Sequence, residues 1–119
     1  TAHVPSVSAR PTSRLMVQAL IRAVQSDGGF AMVLHKGDEG AGAIIVQCRN
    51  QAEGTRLHER QPDFSKGYIL SPCATQSWGN EAEMTQYIER RQRSDPDIWV
   101  IELDSANAER LAAAIMTQG

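Results

Sequence analysis

The chain is poor in the residues that announce most chemistries. Its 119 residues hold two cysteines, Cys48 and Cys73, with no C-x-x-C spacing. That excludes a disulfide framework and a zinc knuckle, and it reads as two free thiols in a reducing compartment. No apolar run approaches the roughly 20 residues that span a bilayer. The stretch TAHVPSVSARPTS lacks the continuous apolar segment of a secretory signal. Both absences lead us to expect a cytoplasmic protein with no membrane partner. Aromatic rings make up 5% of the residues and are not spaced as a platform for stacked bases. The formal net charge of -2 lacks the basic excess that phosphate-backbone binding draws on.

What is present is ordinary globular material. Apolar residues are 41% and charged residues 22%, which at this length supports one hydrophobic core. Residues 1–12, with Pro5 and Pro11 among small polar residues, read as a loose tail, and 13–119 as a single α+β domain. In SRLMVQALIRAVQS, Val17, Leu20, Ile21 and Val24 recur at helical spacing, with Arg14, Gln18, Arg22 and Gln25 on the opposite face. Thr12 or Ser13 can cap this helix, and Gly28 or Gly29 can end it. A second helix fits NEAEMTQYIERRQR, capped by Asn80 with Glu83 three residues on, and stopped at Asp95-Pro96. A third fits SANAERLAAAIMTQG, with Ala108, Leu111, Ala112 and Ile115 along one stripe.

Between the helices the pattern turns to strands. FAMVLHK (30–36), AIIVQCR (43–49) and TRLHER (55–60) are separated by GDEGAG and NQAEG, which predicts an antiparallel meander. A weaker fourth strand lies at GYIL (67–70), before an irregular segment broken by Pro72 and Gly79. DIWVIELD is apolar on both faces, Ile98 and Val100 one way and Trp99, Ile101 and Leu103 the other. That suits a central strand covered on both sides. The fold expected is an antiparallel meander of three to five strands packed with two or three helices.

Candidate sites are few. Arg90, Arg91 and Arg93 close the second helix, which opens on Glu81 and Glu83, the charge order the helix dipole favours. Asp95 and Asp97 stand close enough in sequence to pair with them, so the cluster explains itself as a helix end. Its functional reading is an anion- or partner-binding patch of Arg90, Arg91, Arg93, Asp95 and Asp97, with Trp99 as an aromatic anchor. The loop GDEGAG holds two acids and precedes a strand, so it reads as a hairpin turn, not a phosphate cradle. His35, His58 and Cys48 are the candidate metal ligands of the sheet. A turn centred on 39 and 40 sets residue 33 opposite 46, and one centred on 52 sets 46 opposite 58. The two histidines then stand on the order of 10 Å apart, too far to share a metal through bonds of about 2.1 Å. His3 adds nothing. No catalytic, cofactor-binding or metal-binding residue is assigned. Neither thiol has a local activator. Arg56, His58 and Arg60 alternate along TRLHER and read as the charged face of an edge strand, with nucleic-acid contact as the less favoured reading.

Two blocks, QALIRAVQSDGGFAMVLHKGDEGAGAIIVQ and ERRQRSDPDIWVIELD, resemble a family of small bacterial proteins catalogued as a domain of unknown function, number 1491. The resemblance covers roughly residues 13 to 104. It departs at Ser94, where the family carries a large aromatic before DPD. It implies a short cytoplasmic α+β domain, and no activity, cofactor or catalytic residue. The leading expectation is a non-enzymatic protein-interaction module, possibly self-associating through the two-faced apolarity of residues 43–46 and 98–103. The alternatives are a small enzyme or enzyme accessory with a pocket near the Asp95 turn, and a nucleic-acid binder using its arginine patches.

Overall fold

The computed structural model describes residues 11–117. The expected tail lies outside them except for Pro11 and Thr12. Thr12 is the cap of helix α1 (Ser13–Ser26), and its hydroxyl accepts from Leu15 N at 3.2 Å. Gly28 adopts a φ of 84° just past the helix, a turn a side chain would strain. The apolar stripe turns inward, and Leu20 and Val24 are wholly buried. Each stabilises the docked helix by about 1.5–3 kcal/mol.

Helix α2 (Glu81–Ser94) begins as its sequence requires. Asn80 Oδ1 accepts from Glu83 N at 3.1 Å, and Asn80 Nδ2 donates to Glu83 Oε2 at 3.2 Å. It stops at Asp95, which is extended ahead of Pro96. Helix α3 (Ala108–Met116) buries Ala108, Ala112 and Met116, with Leu111 and Ile115 half-covered beside them.

The strands are β1 (Phe30–His35), β2 (Ile44–Asn50), β3 (Gly54–Asp63), β4 (Gly67–Cys73) and β5 (Trp99–Asp104). They form one sheet in the order β1-β5-β2-β3-β4. The steps from β2 to β3 and β3 to β4 are antiparallel, and Val46 stands opposite His58 as the second turn dictates. The first expected hairpin does not form. β5 lies between β1 and β2, antiparallel to the first and parallel to the second. Val33 and Val46 are in line, but Ile101 stands between them and faces both. The reason lies in the side chains. β2 and β5 are each apolar on both faces, so each gains most from an interior slot.

GDEGAG is therefore a crossover and not a tight turn. It passes over the start of β5, held by Asp38 N donating to Asp97 O at 2.9 Å and Trp99 Nε1 donating to Asp38 O at 2.7 Å. A side chain on Gly37 or Gly42 would run into the Asp97 carbonyl. β4 also runs further than GYIL, through Pro72 to Cys73. Proline is tolerated there because β4 is an edge.

The sheet separates two cores. Trp99, Ile101 and Leu103 pack with Val46 against α1 and α3. Ile98 and Val100 pack with Ile45 and Leu57 against Met84 and Ile88 of α2. The two-faced reading of DIWVIELD holds residue by residue.

Candidate interaction edge

The arginine cluster is split by the fold. Arg91 turns back onto the sheet and grips Glu59 with both nitrogens, at 2.8 and 2.7 Å, while also donating to the Tyr87 hydroxyl at 2.8 Å. The paired carboxylate raises the Arg91 pKa further and keeps it charged. Arg90 and Arg93 stay exposed on the outer turn, the former about 6.0 Å from the Tyr87 ring. Asp95 Oδ1 accepts from Asp97 N at 3.1 Å, closing a turn. Among the described residues, neither aspartate forms an ion pair with these arginines. Trp99 is 4% exposed, its ring in the core and its N–H bonded to the crossover loop. The six residues thus form no single surface. Clefts lie beside α1 and β4, along α3 and on both sides of β1, and neither Asp95 nor Asp97 lines any of these.

β3 is an interior strand and not the expected edge, and its alternating residues Arg56, His58 and Arg60 lie on the face that α3 covers. Arg56 lies 3.7 Å from Glu109 of α3, His58 Nε2 lies 3.1 Å from the same carboxylate, and Arg60 donates to Met116 O at 2.8 Å. Burial lowers the His58 pKa, against the opposing pull of Glu109. Its Nδ1 is buried with no hydrogen-bond partner among the described residues. His35 is on the far edge of the sheet, its Nδ1 bonded to Ile98 O at 2.7 Å. No cluster of metal-ligating side chains occurs among the described residues. Burial pushes the Cys48 thiol up to about 12 and raises that of Cys73, so neither is primed as a nucleophile.

Of the six large apolar side chains exposed among the described residues, four are members of β1, while Leu15 on α1 and Phe64 in the β3–β4 turn stand singly. Phe30 is 52% exposed, Met32 45%, Val33 38% and Leu34 44%. Residues opposite one another in the sheet share a face, so Phe30 and Met32 lie on the α2 side with Asp104 and Glu102. α2 covers the middle of the sheet and leaves these side chains open. Leu34 borders a polar groove of about 340 Å³ between β1 and α2, with Gln47, Arg49, Glu81 and Glu102 among its walls. On the other face Val33 borders an apolar cleft of about 350 Å³ with Val17, Ile21 and Trp99, rimmed by Arg14 and Lys36. Among the described residues the outer backbone of β1 has no neighbouring strand, since β1 ends the sheet. A bulge between Val33 and His35 bends its last residues, and Phe30 to Val33 remain in regular register.

This edge was not among the residues singled out from sequence. The expected hairpin with β2 covers one side of FAMVLH, in which five of the six residues are apolar. Residues 43–46 and 98–103, apolar on both faces, are mostly buried by the fold itself.

The comparisons with known proteins agree with this architecture. A crystal structure of a DUF1491 family protein from Caulobacter crescentus CB15 is 32% identical, with a TM-score of 0.74, over 84% of this chain and 92% of that one. An NMR structure of a DUF1491 family protein from the same organism is 33% identical, with a TM-score of 0.72, over 84% and 90%. The solution structure of protein Atu0922 from A. tumefaciens is 28% identical, with a TM-score of 0.68, over 93% and 98%. No match is found among curated proteins. The family model of DUF1491, proteins of unknown function, matches residues 12–113. With that match running from the cap of α1 into α3, the chain belongs to the DUF1491 family.

Proposed function

We propose that this protein is a non-enzymatic interaction module that docks its partner along the β1 edge. The reading rests on one observation above all: β1 joins an unpaired backbone edge to the exposed side chains of Phe30, Met32, Val33 and Leu34. An open strand edge supplies main-chain hydrogen bonds to an added strand, and alternate side chains supply the apolar area. No helix of the described residues is long and apolar enough to cross a membrane, and the proposed partner is a protein. We place the module in a bacterial cytoplasm, where a reducing medium suits the free thiols Cys48 and Cys73.

The test is capture from the native cell with three tagged chains: the wild type, Met32→Lys/Leu34→Lys, and Arg93→Glu. A specific partner held by the first and third and lost by the second supports the reading. Equal capture by all three discards it.

A further inference from the structure

We infer that the partner of β1 is β1 of a second copy of this chain, paired antiparallel about a twofold axis at Met32. The inference rests on the docking role proposed for that edge and names its occupant.

Three features of the edge point to self-pairing. The first is the side-chain pattern. With the axis at Met32, Met32 stands opposite Met32, and Phe30 of one copy reaches the bulged end of the other strand, where Leu34 lies on the same α2 side. An axis perpendicular to the sheet keeps each face with its own kind. The exposed residues on the α2 side of both copies then merge into one apolar strip, flanked by the two α2 helices. On the opposite face each Val33 stands opposite Ala31 of the other copy, beside the cleft it forms with Ile21 and Trp99.

The second feature is charge. FAMVLH carries no charged residue to oppose its own copy, whereas natural edges are commonly guarded by lysine or by inward-pointing charge. The flanks are of opposite sign. Asp27 and Asp104 are exposed at the entrance of β1, and Lys36 follows its last residue with Arg14 beside it across the cleft. Hydrogen bonds from Asn107 and Ser105 hold the Asp27 carboxyl below its usual range, so it stays charged. Lys36 now lies 3.3 Å from Glu39, both of them exposed, and such a pair is exchanged at little cost. Antiparallel pairing brings Lys36 of each copy to the acidic entrance of the other. Parallel pairing would set like charges together.

The third feature is closure. The opposite edge, β4, carries Pro72, which has no N–H to give an added strand. A pair joined through β1 therefore presents only β4 edges outward, and assembly stops at two.

Light scattering on the eluting wild-type protein, from micromolar to millimolar concentration, should give a dimer. Met32→Lys should raise the dissociation constant at least about tenfold, with its circular dichroism unchanged. Mild oxidation of Met32→Cys should link two chains, because directly opposed strand residues lie about 4.5–5.5 Å apart, within reach of a disulfide. Leu15→Cys, exposed on α1, should not. Lys36→Asp should weaken the dimer and Lys36→Asp/Asp104→Lys should recover part of it. A wild type that is monomeric throughout overturns self-pairing, yet leaves the docking role standing if Met32→Lys/Leu34→Lys still loses a different captured protein. A dimer that survives Met32→Lys at full strength overturns the inference, because it then forms through another surface.

Discussion

Strand β4 closes one side of the sheet and β1 the other, and the chain treats them differently. β4 is dressed. Arg60 stacks on Tyr68 at 3.4 Å, Trp78 donates its N–H to Cys73 O at 3.0 Å, and Leu70 packs against the core under α1 and α3. Its exposed position holds a proline. β1 has a helix beside it on one face only, no proline and no charge, and its apolar side chains remain half in solvent. Edge exposure in this fold is selective. The same sheet that guards one side leaves the other able to pair, the distinction expected between a protected edge and a working one.

Six substitutions test whether the two sides differ in this way. The largest effect is expected where β1 is tied to the rest. Gly37→Ala drives a methyl group into the Asp97 carbonyl under the crossover loop. It should cost about 3 kcal/mol in urea unfolding, or prevent folding. A small loss would mean that the loop yields and that β1 is only loosely held.

Next comes the dressed side. Arg91→Ala strips Glu59, whose side chain is 10% exposed, of its partner, and should cost about 2 kcal/mol, less than a fully buried pair because Arg91 is 28% exposed. Trp78→Ala, which removes a ring near His58 and Arg56, should cost a similar amount, about 2 kcal/mol. Arg93→Ala is the control and should leave stability unchanged. By contrast, Met32→Ala on the open edge should cost about 0.5 kcal/mol or less at concentrations where the chain is monomeric. A cost equal to that of Trp78→Ala would show that β1 is packed and not open.

The smallest effect concerns pH. Burial lowers the His58 pKa below 6.5, so the unfolded chain takes up a proton first as pH falls. The stability from neutral His58 is present in full above about 6.5 and is lost as pH falls from there towards the depressed folded value. His58→Gln should flatten that part of the curve. An unchanged slope would assign it to other groups.

Much of this fold can be read directly from the chain. Thr12, Asn80 and Gly28 do at the helix ends what their side chains, or lack of one, dictate locally. The alternation in DIWVIELD sorts its residues correctly between two cores. Pairing is another matter. Turn chemistry at GDEGAG reports only that the chain reverses, not which strand it reverses beside. The signal that could have settled it is the likeness of AIIV and DIWVIEL, two apolar runs without alternation, the mark of neighbouring parallel strands in a covered sheet. The arginine cluster was legible as a helix end. That Arg91 would find Glu59, 32 residues earlier, depends on where α2 lies across the sheet, and no local pattern carries that. The β1 edge was missed for the same reason, since its exposure follows from the strand order.

The interleaving of β5 has a consequence for synthesis. Residues 99–104 fill the slot between β1 and β2, yet they leave the ribosome after about fifty further residues have been added beyond β2. Until then two oily strands border a vacancy, and the nascent chain must stay unassembled or be shielded while it waits for its last strand. Distant pairing of that kind slows folding, and a chain stalled before Asp104 is the form most exposed to aggregation.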